Sequence, residues 1–395
     1  MAILRPFGGG GPPRCSPGAT PAAAAKPVDA GRLAALRSAS SAPKGIVSTV
    51  DLIIVNAAGL YCPAGDFYID PWRPVERAVI THGHSDHARP GNGVYLCHRD
   101  SAPILRHRLG DIRIESLAYG ETLDRNGVKV SLHPAGHVLG SAQIRVEHRG
   151  GVWVASGDYK LEADGTCEAF TPLRCDAFIT ESTFGLPIYK WRPQQEILSD
   201  INRWWRANAE QGQASVIGAY PLGKAQRILR HLDPSVGPIV CHGAVESLNE
   251  IYRACGVSLP QTFMTRDGLD KKTLSRALVL APPSALNSPW MRRFGDYSDA
   301  FASGWMQIRG NRRRRGVDQG FVLSDHADWP GLMQAIEATG ARRVLVTHGG
   351  VAPLVRYLTE KGYDAAAIDA EFGDDVLERE EAVEEPQEAA PGAAS

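Results

Sequence analysis

Ala78-Val79-Ile80-Thr81-His82-Gly83-His84-Ser85-Asp86-His87 places three histidines and a carboxylate within six residues, directly after an apolar run. A strand that ends in such a cluster leaves its polar side chains on a turn, where they can converge. His82 and His84 point the same way in an extended chain and can hold one metal ion, while Asp86 and His87 can hold a second. Two neighbouring ions suit phosphodiester hydrolysis. The alternative is a solvent-exposed histidine-rich loop without a function.

The composition is that of a globular protein. The 395 residues allow one large domain or two of ordinary size, and 43% of them are hydrophobic. No apolar run is long enough for a transmembrane helix, and the first residues contain no apolar core of a secretory signal. The seven cysteines are scattered and none lies in a Cys-x-x-Cys motif. Reduced thiols in a cytoplasmic protein are therefore expected, and a structural zinc knuckle is not.

The formal net charge of -1 gives no global basic field, so a nucleic-acid partner would need a local patch. Arg309 and the run Arg312, Arg313, Arg314 and Arg315 form a candidate patch in one Gly-flanked segment. Charge runs are also common on surfaces that only contact solvent, and both interpretations stay open.

The two ends of the chain predict disorder. Residues 1–47 are rich in Gly, Pro, Ala and Ser, and a start codon assigned too far upstream is an alternative explanation. Residues 373–395 are rich in Glu, Ala and Pro and predict a disordered acidic tail.

Further metal-binding candidates follow predicted strands. Asp70 ends a strand shortly before His82, and it is either a turn residue or the hydrogen-bond partner that a metal-bound imidazole needs on its other nitrogen. His137 lies between Gly136 and Gly140 and is the candidate third ligand of the first ion. Asp158 follows the apolar run 152–156, where a carboxylate could bridge two ions.

The second half of the chain alternates predicted strands and helices, which indicates a small inserted parallel-sheet domain. Glu181 ends the strand before this region. After it, the predicted strand 321–324 leads to Asp325 and His326, and the strand 344–347 leads to His348. The same arrangement of polar residues at strand ends thus occurs in both halves of the sequence.

Taken together, these motifs resemble the metallo-β-lactamase superfamily and, within it, the β-CASP nucleases. The resemblance covers residues 52–369 and the complete motif series: Asp70, His82, His84, Asp86, His87, His137, Asp158, Glu181, His326 and His348. The sequences that flank these motifs look like those of the bacterial ligase-associated DNA exonucleases, which resemble the DNA cross-link repair nucleases. Those enzymes are encoded beside an ATP-dependent DNA ligase and a helicase.

The resemblance implies an αββα sandwich, in two parts over residues 48–186 and 318–372, with a β-CASP α/β cassette over residues 187–317. It implies two divalent ions, which are zinc, manganese or both and are bound by residues of the motif series. His348 would complete the ligands of the second ion. His326 paired with Glu181 would act near the leaving oxygen. The implied activity is a 5′ to 3′ exonuclease on single-stranded DNA in repair.

A chain-end pocket would need hydroxyl and basic groups. The candidates are Ser141, Lys160, Ser182, Thr183 and Lys224. Three other functions stay open: an RNA-processing nuclease of the same fold, a metallo-hydrolase for a small ester or lactam, and a non-catalytic nucleic-acid-binding scaffold with a degenerate site.

Overall fold

Three β-sheets organise residues 51–368, the part of the chain that the computed structural model describes. The first sheet has the strand order β1-β2-β3-β4-β5-β6. Its strands are β1 (Ile54–Asn56), β2 (Gly59–Cys62), β3 (Phe67–Ile69), β4 (Arg77–Val79), β5 (Val94–His98) and β6 (Ile114–Leu117). The segments 1–47 and 373–395, for which the sequence predicts disorder, lie outside the described residues.

The second sheet has the order β18-β17-β11-β10-β9-β8-β7. Its strands are β7 (Thr122–Arg125), β8 (Val128–Pro134), β9 (Ala142–His148), β10 (Gly151–Ala155), β11 (Ala177–Ser182), β17 (Arg343–Gly349) and β18 (Asp364–Ala367). Strands β7 to β10 pair antiparallel, whereas β10, β11, β17 and β18 pair parallel.

The first two sheets pack face to face. Side chains such as Val79 and Leu96 of the first sheet share one buried cluster with Leu132 and Ile144 of the second. Helix α1 (Ala102–Leu109) packs on the outer face of the first sheet, and helices α7 (Trp329–Thr339) and α8 (Val351–Glu360) pack on the outer face of the second. Each sheet therefore buries both faces, in an αββα sandwich of the metallo-β-lactamase kind.

The third sheet is entirely parallel, in the order β13-β14-β12-β15-β16. Its strands are β12 (Ala214–Gly218), β13 (Ile239–Cys241), β14 (Leu278–Ala281), β15 (Tyr297–Ala302) and β16 (Gln319–Phe321). Helices α2 (Gln194–Glu210), α3 (Lys224–Leu229), α4 (Gly243–Ala254), α5 (Lys271–Leu274) and α6 (Arg309–Arg315) belong to the same stretch of chain. We call these elements the third-sheet layer. None of the helices within residues 51–368 is long and apolar enough to cross a membrane.

One strand differs from the sequence-based expectation. The predicted strand 321–324 is wrong in its bounds, because β16 ends at Phe321 and pairs with β15 in the third sheet. The apolar run Phe321-Val322-Leu323 gives no sign of where pairing stops, since Leu323 is buried although it lies outside the strand. The limits 48–186, 187–317 and 318–372 remain predictions.

The parallel strands bring the polar motifs to one edge. The strands β3, β4, β10, β11 and β17 each run into a motif residue at or just after the carboxyl end. In α/β sheets ligands bind at the carboxyl ends of parallel strands. The fold thus collects residues that are up to 278 positions apart, from Asp70 to His348, at one site.

Candidate metal centre

The first cluster contains His82, His84, His137 and Asp158, whose potential ligand atoms lie within 4.8 Å of one another. His84 Nδ1 is 3.1 Å from His82 Nε2 and 3.1 Å from His137 Nε2. Burial lowers the pKa of His82 and His84, and it lowers the pKa of His137 to about 3. The three imidazoles are therefore neutral, which is the protonation state that binds a metal ion.

In each of these imidazoles, the nitrogen that points away from the cluster has an oxygen acceptor. His82 Nδ1 donates to Thr81 Oγ1 at 3.1 Å, and His137 Nδ1 donates to the Asp325 carbonyl oxygen at 2.9 Å. His84 Nε2 donates to the Leu222 carbonyl oxygen at 3.3 Å. Such contacts fix the tautomer, so the nitrogen that faces the cluster carries a lone pair.

The second cluster contains His82, Asp86 and His87. His87 Nε2 lies 3.4 Å from an oxygen of Asp86. The ring of His348 stacks on that of His87, with ring centroids 5.0 Å apart, although His348 is outside this group. Burial opposes a charged His87, but Asp86, Asp158 and Asp70 together hold its pKa well above the usual value.

Asp70 supports the second cluster from behind. Its carboxylate accepts hydrogen bonds from the Thr81 amide at 2.8 Å, from the Thr81 hydroxyl and from His87 Nδ1 at 2.7 Å. Nε2 of His87 consequently faces Asp86. Asp70 has a φ of 42°, a region that Asp and Asn occupy more readily than other side chains.

Asp158 lies between the two clusters. Its Oδ2 is 3.6 Å from His82 Nε2, 3.4 Å from His87 Nε2 and 3.9 Å from His137 Nε2. Burial favours its protonated form, but His87 and His326 hold the pKa of this carboxyl well below the usual value. Its Oδ1 is buried without a hydrogen-bond partner. A cation between the clusters would satisfy that atom.

His326 and Glu181 form a hydrogen-bonded pair beside Asp158. His326 Nδ1 donates to Glu181 Oε2 at 2.9 Å, and the Tyr159 amide donates to Glu181 Oε1 at 2.7 Å. Burial opposes the charged imidazole, but Glu181 and Asp158 outweigh it and raise the pKa of His326 to about 9. An imidazole with this pKa carries a charge at neutral pH and has a proton that it can donate.

The donor set fits divalent metal ions. Neutral imidazoles and carboxylates at strand ends are the usual ligands of zinc, and manganese accepts the same carboxylates. The two clusters therefore indicate a site for divalent metal binding.

The predicted chain-end residues are all buried. Ser141 accepts from the His137 and Val138 amides, and Lys160 donates to the Ser324 carbonyl oxygen at 2.6 Å. Ser182 donates to the carbonyl oxygens of Thr347 and His348, and Lys224 pairs with Asp325 at 3.0 Å. Thr183 is buried at the end of β11. Their part in nucleic-acid binding stays a prediction.

The arginine run forms helix α6 and does not join the metal clusters. The side chains of Arg309, Arg313 and Arg314 are exposed, and Arg315 lies over the ring of Phe301, with 4.3 Å between Cζ and the ring centroid. The side chain of Arg312 is outside the described part of the chain. A basic, exposed helix face is therefore available on the third-sheet layer.

Sequence reasoning missed the residues that support the ligands from the third-sheet layer. Leu222 acts through its carbonyl oxygen, and Arg227 lies 90 residues from the His137 carbonyl that it contacts. A main-chain acceptor leaves no signal in residue type, and a single arginine among the residues of α3 does not stand out. In the sequence of this region, only the Gly223-Lys224 pair gives a local signal, because a glycine often marks an unusual turn.

No family model matches the sequence. Among curated proteins, one named "Probable DNA ligase" from Opitutus terrae is 34% identical over 313 residues, which cover 78% of this chain and 30% of that protein. "Endoribonuclease YSH1" from Eremothecium gossypii is 34% identical over 123 residues, covering 31% of this chain and 16% of that protein. "Cleavage and polyadenylation specificity factor 73" from Drosophila melanogaster is 33% identical over 123 residues, covering 31% and 18% respectively. The chain thus spans less than a third of the length of each of these relatives.

A solved structure shares the fold. It is a protein of unknown function from Enterococcus faecalis V583, with a TM-score of 0.52 and 12% identity, covering 75% of this chain and 80% of that one. One of these curated relatives is named as an endoribonuclease, and the described residues of this chain include two clusters of potential metal ligands. Together, these similarities and the ligand geometry agree with the motif resemblance to the metallo-β-lactamase/β-CASP proteins, over a segment that makes up less than a third of each curated relative.

Proposed function

We propose that this protein is a metal-dependent DNA exonuclease that hydrolyses phosphodiesters of single-stranded DNA from the 5′ end during repair in the cytoplasm. The observation that carries the hydrolytic part is the position of Asp158, whose Oδ2 lies within 4 Å of nitrogen atoms from both clusters. One carboxylate shared by two ligand groups is the arrangement that a two-ion phosphodiesterase requires.

His82, His84 and His137 would hold the first ion, Asp86, His87 and His348 the second, and Asp158 would be shared. The bound ions would supply Lewis acidity and make a water nucleophilic at neutral pH. The attacking water loses one proton to solvent as its oxygen forms a bond to phosphorus, and the bond from phosphorus to the leaving oxygen breaks.

His326 would donate the proton that the leaving oxygen needs. Because Nδ1 is bonded to Glu181, Nε2 is the nitrogen available for this transfer. Glu181 keeps the imidazole charged and oriented, and its second oxygen is held by the Tyr159 amide. Proton donation of this kind contributes roughly a hundredfold to ten-thousandfold to a rate.

The DNA substrate and a ligase partner are supported by the ligase-named relative, and the polarity follows the motif resemblance. The ligase-named relative contains a segment similar to this chain, which favours a DNA substrate and a ligase as a functional partner. A helicase partner rests on the motif resemblance alone. The exposed arginines of α6 offer phosphate contacts for a single strand.

An RNA-processing nuclease is the second candidate, because relatives named as an endoribonuclease and as a cleavage and polyadenylation factor are 34% and 33% identical to this chain over 123 residues. A small-ester hydrolase would not need the third-sheet layer or His326. A non-catalytic scaffold is disfavoured because all the motif residues are present.

The test is cleavage of one sequence as single-stranded DNA and as RNA, labelled at either end, with manganese or zinc. We expect short products from the DNA 5′ end, and none from the Asp86→Ala variant. Cleavage of RNA alone would reassign the substrate, and release from the 3′ end would refute the polarity.

A further inference from the structure

Helix α3 contacts the first cluster from two directions. Arg227 Nη2 donates to the carbonyl oxygen of His137 at 3.3 Å. Lys224, on the same helix, pairs with the carboxylate of Asp325, and the carbonyl oxygen of Asp325 accepts from His137 Nδ1. One metal ligand is therefore held through its backbone and through its imidazole by groups that α3 positions.

The turn before α3 reaches a second ligand. The Leu222 carbonyl oxygen accepts from His84 Nε2 at 3.3 Å. Gly223 has a φ of 87°, and a Cβ there would be 2.3 Å from Val138 Cγ1, so the turn fits against the His137 loop only with glycine. Two of the three imidazoles in the first cluster thus depend on residues 222–227.

Arg227 is itself fixed in one position. It is 1% exposed, and its Nε lies 2.6 Å from Asp164 Oδ2, while Nη1 donates to Gln194 Oε1 at 3.1 Å. The Thr166 amide and hydroxyl both donate to the other oxygen of Asp164. A buried arginine held by two hydrogen bonds and one close ion pair is a rigid support, because its planar fork fixes the directions of its donors.

We propose that Arg227 is a positioning residue for the first metal ion. Through Arg227, the third-sheet layer affects the affinity for an ion whose ligands lie in the αββα sandwich. This inference rests on the proposed two-ion site. Removing a hydrogen bond that holds a metal ligand in place typically lowers metal affinity by about 10–100-fold.

The expected effect is selective for one ion. The second cluster is supported by other residues: Asp70 accepts from His87 Nδ1, and Thr81 Oγ1 lies 3.3 Å from the same nitrogen. Loss of the Arg227 contact should weaken the first ion and leave the second unchanged.

The test consists of two titrations of the metal-free full chain. One uses Zn²⁺ alone and is monitored by calorimetry, and the other uses Co²⁺ and is monitored by visible absorption. Arg227→Lys keeps a charge for Asp164 but loses the fork that reaches His137. We expect the affinity of one ion to fall about 10–100-fold and its Co²⁺ spectrum to change. Arg206→Lys is the matched control, because Arg206 is an exposed arginine paired with Asp233 in the same layer.

A second variant guards against misfolding. Arg227→Met combined with Asp164→Leu removes both buried charges together, a replacement that buried ion pairs often tolerate. It should show the same loss of affinity. In a His137→Ala background, neither change should lower metal affinity further, since the ligand they position is gone.

Wild-type affinity for both ions in a folded Arg227→Lys protein would overturn the inference, and so would a further loss in the His137→Ala background. If wild type binds two ions but cleaves no nucleic acid, the proposed function fails while the positioning role stands. Wild type without bound ions would overturn both.

Discussion

Replacing Asp70 should weaken both the second metal position and the fold. Asp70 is 8% exposed and accepts from the Thr81 amide, the Thr81 hydroxyl and His87 Nδ1. Asp70→Ala leaves the Thr81 amide and the His87 ring nitrogen without their buried acceptor. At roughly 1–3 kcal/mol for each unsatisfied donor, we expect a loss of about 2–6 kcal/mol in unfolding free energy.

Asp70→Asn separates the metal effect from stability. Asparagine tolerates the φ of 42° and its oxygen can still accept from the Thr81 amide. The amide nitrogen of the asparagine would donate to His87 Nδ1. The proton of the His87 imidazole would then lie on Nε2, which is the nitrogen that faces Asp86. Metal affinity should therefore fall about 10–100-fold, as for Asp70→Ala, or about 1.4–2.8 kcal/mol.

Calorimetric Zn²⁺ titration and urea denaturation of the metal-free protein measure the two quantities separately. Asp66→Asn, a change of the same kind at the exposed carboxylate paired with Arg77, is the control and should leave metal affinity unchanged. Wild-type metal affinity in Asp70→Asn would refute the idea that Asp70 sets the His87 tautomer.

Three further predictions test the acid, the basic helix and the core. His326→Ala should reduce kcat by about a hundredfold to ten-thousandfold with unchanged metal content, and normal cleavage in single-turnover assays would exclude a proton-donor role. Changing Arg313, Arg314 and Arg315 to Ala should lower the salt slope of single-stranded DNA binding by about 0.7 per lost phosphate contact. An unchanged slope, as expected for the distant exposed control Arg356→Ala, would mean that α6 only contacts solvent. Trp205→Ala should cost about 3–5 kcal/mol of unfolding free energy in urea titrations, because this fully buried ring anchors α2 in the core of the third-sheet layer; a loss under about 1 kcal/mol would contradict that packing.

The elements that the sequence predicts well are those with a strong local period. Helix α2 spans Gln194–Glu210, and its apolar residues repeat at helical spacing, which the sequence shows directly. The strands before His82 and Asp158 are apolar runs bounded by polar residues, so the motif residues fall at strand ends. Local pattern therefore locates the candidate metal ligands without knowledge of the fold.

Other features depend on tertiary contacts and leave no local signal. The end of β16 at Phe321 depends on pairing with β15. The arginine run forms helix α6, although the sequence indicates only a charged segment between glycines. The support that Arg227 gives to His137 joins residues 90 positions apart, and only the folded chain shows it.

The most direct test of the two-ion account is a stepwise titration of the metal-free protein with Mn²⁺ or Zn²⁺, recording bound metal and cleavage of single-stranded DNA in the same samples. The shared position of Asp158 predicts two ions per chain and cleavage that rises with the second equivalent. Full cleavage at one equivalent, or cleavage that survives a chelator, would contradict the account.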